Sequence, residues 1–456
     1  MSYIRLSNLQ IRSIMNKRTR ISLILLLIGY CSALSAQELN PAKLNQYFQI
    51  LADNNKFMGS VSVFKDSTEI YANTVGFADI DKEIESDKDF KYCIGSISKT
   101  FTAVMVFRTI EAGKLSLTET IDRYFPSIEN GTIITIEHLL GHRSGIHNFT
   151  ADEKYMDWQT EHKSREQMVE IIIQGGSDFE PGSSAQYSNS NYVLLSYILE
   201  SVYGKPYSEI LAEQITDPLS LKNTYLGRGG LSSDNNECNS YKYFDKWRIE
   251  SFSNPSITLG AGGIISTPED INKFAVALWG GKLISANSLS SMQTIKDNYG
   301  MGLFPVPFYT KRGYGHSGGI DGFRSMFIYL PEDEISYAIT SNGSNYNFND
   351  IHIAVLSWAY DIPFDIPSFE VVNLKPEDLD KYLGVYSCDQ LPIKLTITKK
   401  DNSLEGQGTG QPSFPLEPSS EHIFRFTGGG IVLEFNPSEN TMILKQGGGV
   451  FYFKKE

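Results

Sequence analysis

Alternation of apolar and polar residues predicts two β-hairpins that lie far apart in the chain. Residues 59–71 alternate with the period of a strand, and Asp66-Ser67 interrupts the pattern where a turn is expected. Residues 324–330 and 335–340 alternate in the same way around a Pro331-Glu332-Asp333 turn. We therefore expect strands at both ends of the segment that these hairpins enclose.

Between the two hairpins, apolar residues recur at the spacing of a helix. One helix is predicted from Ser96 to Gly113, a natural C-terminal stop, and another from residue 191 to 203, ending at Gly204. The stretch between these helices is rich in Asp, Glu and Ser and is expected to be mostly helix and loop. This order predicts an α+β fold, with an antiparallel sheet built from both ends of the segment, flanking helices and a mostly helical second lobe.

A different pattern follows the second hairpin. Residues 361–376 contain three prolines without clear periodicity, which predicts a domain linker. Short strands broken by Gly and Pro continue from 382 to 456 and predict a small all-β domain, a barrel. We expect a larger domain at 37–365 and the barrel at 375–456.

The N-terminus has the pattern of a secretory signal peptide at residues 1–36. Basic residues precede an apolar run at 21–28, and small residues lead to a cleavage site near Ala36. A bilayer-spanning helix needs about 20 apolar residues, so we expect a secreted or periplasmic protein without a permanent membrane anchor. Lipidation at Cys31 ranks second, and a start at Met15 would give a more typical signal. The basic residues are Arg5, Arg12, Lys17, Arg18 and Arg20.

Charge and cysteine content narrow the range of partners. Loss of residues 1–36 would remove five basic side chains and no acidic one, which takes the net charge from −13 to −18. Such an acidic chain argues against nucleic acid as the main partner. Three cysteines would remain, Cys93, Cys238 and Cys388, and an odd number predicts no complete disulfide framework.

The first candidate for chemistry is the segment Ser96-Ile97-Ser98-Lys99. Residues i and i+3 share one face of a helix, so the Ser96 hydroxyl and the Lys99 amine are expected side by side at a helix N-terminus. A buried lysine can lose its proton and act as a base. A second S-x-x-K match at Ser62 and Lys65 lies on a predicted strand, where residues three apart face opposite ways.

Two further segments complete the candidate site. Tyr187-Ser188-Asn189 precedes the second helix, and an extended backbone there would point its phenol and carboxamide into one site. The rival match Tyr71-Ala72-Asn73 lies in the opening hairpin. The segment His316-Ser317-Gly318-Gly319 is expected to enter the strand that starts near Arg324. It also fits G-x-S-x-G around Ser317, a nucleophile elbow, but that elbow needs a helix after the serine.

These elements together resemble the serine β-lactamase and penicillin-binding-protein superfamily. The likeness is to class C β-lactamases, D-alanyl-D-alanine carboxypeptidases, D-amino-acid amidases and related esterases, and it covers roughly residues 45–360. The matching segments are GSISKT (95–100), GKLSL (113–117), TIEHLLGHRSG (135–145), PG (181–182) leading to YSNSNY (187–192), GGIISTPED (262–270) and GHSGG (315–319). The C-terminal segment around YLGVY (382–386) looks like the lipocalin-like domain of some members.

The resemblance implies a role for each site residue. Ser96 would be acylated, Lys99 and Tyr187 would share the general base and acid roles, and Asn189 would position the substrate amide. The backbone N–H groups of Ser96 and Gly319 would hold the oxyanion. Substrate contacts would also come from His316, Ser317 and Gly318. This chemistry needs no cofactor and no metal.

One departure from the family concerns β-lactam substrates. Class C β-lactamases carry Lys-Thr-Gly where this chain has His316-Ser317-Gly318, and imidazole is largely neutral at pH 7. The resemblance therefore implies slow β-lactam turnover at best. A zinc site at His138, His142 and His147 is disfavoured, because Leu139 stands where a zincin has its glutamate.

The sequence thus predicts an exported serine hydrolase that forms an acyl-enzyme at Ser96. The expected substrate is a small peptide, amide or ester, for example a peptide ending in a D-amino acid, a β-lactam-like compound or an ester. Loops at residues 147–178 and 225–256 are expected to shape the pocket. The alternative is a penicillin-binding or sensor protein of the same fold without turnover.

Overall fold

A six-stranded antiparallel sheet forms the centre of the larger domain. Its strands, in order across the sheet, are β10 (Phe304–Pro305), β11 (Tyr314–Ile320), β12 (Phe323–Leu330), β13 (Ile335–Ser344), β1 (Phe57–Lys65) and β2 (Thr68–Val75). The computed structural model describes residues 39–369, 374–426, 429–446 and 449–456, so the predicted signal peptide lies outside the described residues.

The sheet joins the two ends of the segment, as predicted. Strand β1 pairs with β13 in a register that places Val61 opposite Ile339, and with β2 across the predicted turn. Asp66 and Ser67 in that turn both have a positive φ, which matches the twist of a tight hairpin. Eight of the nine residues of β1 are buried because the strand lies inside the sheet.

Helices cover the sheet and form the second lobe. Helix α2 (Ser98–Glu111) continues a single 3₁₀ turn at Gly95–Ile97, and α6 (Asn189–Tyr203) ends at Gly204 in the left-handed conformation, so both predicted helices are confirmed. The helices are α1 Ala42–Asp53, α2 Ser98–Glu111, α3 Ile136–Leu140, α4 Tyr155–Trp158, α5 Arg165–Gly175, α6 Asn189–Tyr203, α7 Tyr207–Leu211, α8 Asp217–Leu219, α9 Pro255–Gly262, α10 Pro268–Trp279, α11 Ala286–Gln293 and α12 Phe348–Ala359. The amphipathic helices α1 and α12 were not predicted.

The placement of the His316 segment corrects one prediction. Residues 316–319 do not lead into the strand near Arg324 but belong to a strand of their own, β11, which pairs with β12. Glycine-rich segments have low strand propensity, so the sequence pattern concealed this strand. Short strands elsewhere in the domain are β3 Phe77–Asp79, β4 Ile84–Glu85, β5 Tyr92–Cys93, β6 Tyr225–Leu226, β7 Tyr241–Tyr243, β8 Trp247–Ile249 and β9 Ile264–Ser266.

The predicted C-terminal barrel is confirmed as a closed barrel. Its interior is filled by side chains such as Leu404, Phe424 and Leu433, which are fully buried. The strands are β14 Gly384–Ser387, β15 Leu395–Lys400, β16 Ser403–Gly408, β17 Ser413–Ser420, β18 Ile423–Phe426, β19 Ile431–Asn436, β20 Thr441–Gln446 and β21 Gly449–Lys455. The domain boundaries at 37–365 and 375–456 stay predictions. Within the described ranges, no helix is long and apolar enough to span a membrane.

Candidate active site

Two side chains converge on the hydroxyl of Ser96. The Lys99 amine Nζ lies 3.0 Å from Ser96 Oγ, and the Tyr187 hydroxyl donates a hydrogen bond of 2.7 Å to the same oxygen. Ser96 occupies the 3₁₀ turn that leads into α2, where it is half-buried, and Lys99 lies one turn further along. The spacing predicted from the sequence therefore brings the hydroxyl and the amine together.

Lys99 is held as a buried amine among uncharged partners. Its side chain has no exposed surface, and Nζ also donates to Asn189 Oδ1 at 2.7 Å and to the Ala261 backbone oxygen at 2.6 Å. Burial lowers the pKa of Lys99 well below its usual value of 10.5. A neutral amine has two N–H groups for those two oxygens, which leaves its lone pair for the Ser96 hydroxyl.

Tyr187 keeps its proton in this environment. Burial raises its pKa above the usual value of 10.0, and its hydrogen bond to Ser96 only partly opposes that shift. The Lys99 Nζ lies 4.8 Å from the centre of the tyrosine ring. The neutral phenol is therefore a hydrogen-bond donor toward Ser96.

His142 packs against Tyr187 and fixes the backbone beside it. The two rings lie 4.5 Å apart, and His142 Nδ1 accepts a hydrogen bond of 3.2 Å from the Ser188 backbone N–H. The imidazole is 2% exposed, and burial holds its pKa well below 6.5, so the ring is neutral and able to accept. These contacts of His142 with Tyr187 and Ser188 were not indicated by its place in a candidate metal triad.

Asn189 uses both ends of its carboxamide inside the site. Its oxygen accepts from Lys99, and its Nδ2 donates to Thr150 Oγ1 at 2.9 Å. The Asn189 backbone N–H donates to Asn148 Oδ1 at 2.9 Å. Asn189 therefore orients Lys99 and joins the start of α6 to the loop at residues 148–150.

Glycines let strand β11 pass close to the backbone of Ser96. Gly95 has a φ of +51°, and a Cβ on it would lie 2.9 Å from the Gly319 nitrogen. A Cβ on Gly318 would overlap the Ile94 carbonyl oxygen. Larger residues at these two positions would separate Gly319 from Ser96, whose backbone N–H groups are the predicted oxyanion donors.

The His316 side chain lies on the buried side of the site, and its ring is neutral. It is 2% exposed and packs 4.4 Å from the Phe304 ring. Burial, the largest cause, lowers its pKa to about 3. Its Nδ1 donates to the Ser317 carbonyl at 2.6 Å, so Nδ1 carries the proton.

The rival candidates lie on elements that cannot perform the chemistry. Ser317 is an exposed residue in the middle of β11 and is followed by strand β12, not by the helix of a nucleophile elbow. Ser62 and Lys65 lie on β1, where Ser62 is buried and bonded to Glu69 while Lys65 is exposed. Tyr71 lies on β2 and donates to Asn45 Oδ1.

The three histidines of the zinc alternative have separate partners. His138 closes a capping interaction with Thr135 at the start of α3, whereas His147 contacts Asp178 and Asp152. Among the residues that the structure describes, no group of three or more His, Cys, Asp or Glu side chains could hold a metal ion.

A cavity of about 250 Å³ opens beside Ser96. Both loops that were expected to shape the pocket contribute to it. Sequence reasoning did not single out several of its lining residues, because they meet only through tertiary contacts. These are Phe149, Thr150, Tyr155, Met156, Gln159, Lys242, Glu250, Ser253, Thr258, Ala261, Ile320 and Asp321.

Fold and site define the class of this protein as a β-lactamase-related serine hydrolase. The chain belongs to the Beta-lactamase family, which matches residues 46–359. A penicillin-binding protein of Bacillus subtilis (strain 168) is 26% identical over 431 residues, covering 87% of this chain and 94% of its own length.

Two further relatives are named for D-amino-acid compounds. The teichoic acid D-alanine hydrolase of Staphylococcus aureus (strain MRSA252) is 25% identical over 68% of this chain and 77% of its own length. The solved structure of D-amino acid amidase from Ochrobactrum anthropi SV3, complexed with L-phenylalanine amide, is 25% identical with a TM-score of 0.63 and covers 70% of this chain and 98% of that chain.

Proposed function

We propose that this protein hydrolyses amide or ester bonds through an acyl-enzyme on Ser96. The observation that carries the proposal is the convergence of Lys99 Nζ and Tyr187 Oη on Ser96 Oγ. A serine hydroxyl is a weak nucleophile and needs a base within hydrogen-bond reach. Lys99 meets that need, because burial lowers its pKa well below 10.5 and so favours the neutral amine.

In acylation, Ser96 Oγ attacks the substrate carbonyl carbon while its proton passes to Lys99 Nζ. The carbonyl oxygen becomes an oxyanion, which the backbone N–H groups of Ser96 and Gly319 stabilise. When the carbon–nitrogen or carbon–oxygen bond breaks, the leaving group takes a proton from the Tyr187 hydroxyl. The Lys99 ammonium then reprotonates Tyr187, so both groups return to their neutral forms.

Deacylation repeats the sequence with water as the nucleophile. Water attacks the acyl carbon as its proton passes to Lys99, and the same oxyanion donors stabilise the second tetrahedral intermediate. Collapse returns a proton to Ser96 Oγ and releases the carboxylic acid. Asn189 positions the substrate amide and also orients Lys99. His142 acts through Tyr187 as a positioning residue.

The substrate class that we propose is a small derivative of a D-amino acid, either an amide, a short peptide or an ester. Two relatives named for D-amino-acid compounds support this choice. Carboxypeptidase activity on peptides ending in a D-amino acid belongs to the same chemistry. Penicillins would acylate Ser96 but turn over slowly, since His316 provides no positive charge for their carboxylate.

We also propose that the protein acts outside the cytoplasm. Its support is the basic, apolar and small-residue order of residues 1–36, which lie outside the described residues. N-terminal sequencing of the protein expressed with its full leader should find a mature end near Ala36. An intact leader on the exported protein would refute cleavage.

Hydrolysis of matched D and L substrates tests the proposed function. We expect release of p-nitroaniline from D-alanine p-nitroanilide and a lower rate with the L isomer. Ser96→Ala should abolish release, whereas Ser116→Ala, at an exposed serine, should retain it. Turnover that persists in folded Ser96→Ala would refute the proposal, and acylation without turnover of any substrate would favour the penicillin-binding or sensor alternative.

A further inference from the structure

The substrate cavity contains an acidic side chain that the reaction does not use. Asp321 lies two residues after Gly319, in the turn between β11 and β12, where it lines the cavity that Ser96 opens into. It is a non-glycine residue with a φ of +53°, so the tight turn holds its backbone in a rarely adopted conformation. The turn therefore fixes the backbone of Asp321 relative to Gly319.

Hydrogen bonds from Ser253 hold this carboxylate in place. The Ser253 hydroxyl donates to Asp321 Oδ1 at 2.7 Å, and the Ser253 backbone N–H donates to Oδ2 at 2.9 Å. Ser253 is 2% exposed, while Asp321 is half-buried and keeps part of its surface toward the cavity. A carboxylate has about four lone-pair sites, so two acceptor sites remain for a ligand.

Asp321 forms no salt bridge with another described residue, although the charge of Lys242 acts on it at longer range. Lys242, the basic residue of the cavity wall, forms its ion pair with Glu250 at 2.8 Å. The charged residues that line the cavity are Lys242, Glu250 and Asp321, which leaves one net negative charge beside Ser96. Burial raises the pKa of Asp321, and the hydrogen bonds from Ser253 only partly offset this effect. A half-buried carboxylate that forms no salt bridge favours a cationic ligand beside it.

We propose that Asp321 binds the ammonium group of the acyl donor, so the protein selects aminoacyl amides and esters with a free amine over their N-acylated forms. This inference rests on the proposed function and names its substrate class more narrowly. Tyr155, Gln159 and Phe149 line the same cavity and would surround the side chain of the aminoacyl group. Asp321 makes and breaks no covalent bond, and its effect is on the binding of the acyl donor.

Kinetics with two matched substrates test this selection. The substrates are D-alanine p-nitroanilide and N-acetyl-D-alanine p-nitroanilide, measured at a pH where the free amine is protonated. Loss of one partner of a desolvated charge pair is expected to lower kcat/KM for the free amine about tenfold or more in Asp321→Asn. For the N-acetyl substrate, kcat/KM of the same variant should stay within about threefold of the parent value. For the free-amine substrate, most of the change should appear in KM.

A matched control separates the cavity charge from overall charge. Asp245→Asn removes the same charge from an exposed side chain that is paired with Arg248 outside the cavity wall. It should leave the preference for the free amine as it is in the parent protein. Circular dichroism and the unfolding midpoint establish that Asp321→Asn is folded, and Asp321→Glu should recover part of the preference if charge is the cause.

The outcomes distinguish this inference from the function on which it rests. A preference for the free amine that Asp321→Asn removes supports the inference. Equal use of both substrates by the parent protein, or a preference that survives in folded Asp321→Asn, overturns it while hydrolysis at Ser96 stands. Failure of both substrates to acylate Ser96 at all would overturn the proposed function.

Discussion

The amine of Lys99 lies 2.6 Å from the backbone oxygen of Ala261, a residue 162 positions further along the chain. This contact depends on an irregular backbone inside α9, where Leu259 has φ 35° and ψ −129°. Buried hydroxyl groups hold the distorted segment: Thr102 Oγ1 donates to the Gly260 oxygen at 2.8 Å, and the Gly260 N–H donates to Ser196 Oγ at 3.1 Å. Such strain persists where the surrounding structure imposes it, and here it places the Ala261 oxygen against Lys99, the proposed general base.

Replacing Gly260 should therefore disturb both stability and catalysis. A Cβ at this position would clash with the Thr102 hydroxyl, so Gly260→Ala is expected to lower the free energy of unfolding by about 1–3 kcal/mol. The displaced Ala261 carbonyl should also lower kcat. Gly230→Ala is the control, since nothing lies within 4 Å of its added Cβ. Chemical unfolding and kinetics measure both effects, and an unchanged kcat in Gly260→Ala would contradict the positioning role.

The pH dependence of kcat/KM should report the lowered pKa of Lys99. Burial favours the neutral amine, so the acid limb of the profile should lie well below pH 10.5 and activity should persist at neutral pH. Tyr187→Phe should lower the plateau about 10²- to 10⁴-fold and leave the acid limb in place. An acid limb near pH 10 would show that Lys99 is an ammonium in the resting protein.

The folding stability of the protein should also depend on pH because of the lowered pKa of Lys99. Below pH 10.5 the unfolded chain protonates Lys99 while the folded chain resists protonation, so this residue makes stability rise with pH up to that value. Lys99→Met lacks this dependence. The Tm of the variant minus that of the parent should be larger at pH 7 than at pH 10.5. A difference that does not vary with pH would place Lys99 in its charged form.

Recognition of a β-lactam carboxylate should be weak in this site. His316 is neutral, and an ionic hydrogen bond to a carboxylate would contribute roughly 1.5–3 kcal/mol. Benzylpenicillin and its uncharged methyl ester should therefore acylate Ser96 at rates within about threefold of each other, instead of the roughly 10- to 100-fold gap that a charged anchor gives. Stopped-flow acylation measures the ratio. If benzylpenicillin acylated Ser96 tenfold or more faster than its methyl ester, the site would contain a charged carboxylate anchor and this prediction would be wrong.

The parts predicted from the sequence depend on local geometry. Ser96 and Lys99 could be paired because the helical repeat puts positions i and i+3 on one face. The opening hairpin could be predicted because alternating residues flank the Asp66-Ser67 turn. Strand β11 was not predicted, because Gly318 and Gly319 have low strand propensity. Gly318 is nevertheless needed there, since a Cβ on it would overlap the Ile94 carbonyl oxygen.

Long-range contacts account for the residues that sequence reasoning missed. Ala261 acts through a backbone oxygen, which no side-chain motif encodes. Asp321 belongs to the site because Ser253, 68 positions away, holds its carboxylate at the cavity wall. His142 was considered as a metal ligand, yet its partners are the Tyr187 ring and the Ser188 backbone. Only the folded chain brings these groups together.

The intact mass of the protein after exposure to an activated D-alanine ester or a penicillin tests the central claim most directly. We predict one acyl adduct on the parent protein and on Ser317→Ala, the rival nucleophile, and none on folded Ser96→Ala. An adduct that remains on Ser96→Ala, or one that is lost only in Ser317→Ala, would contradict Ser96 as the nucleophile.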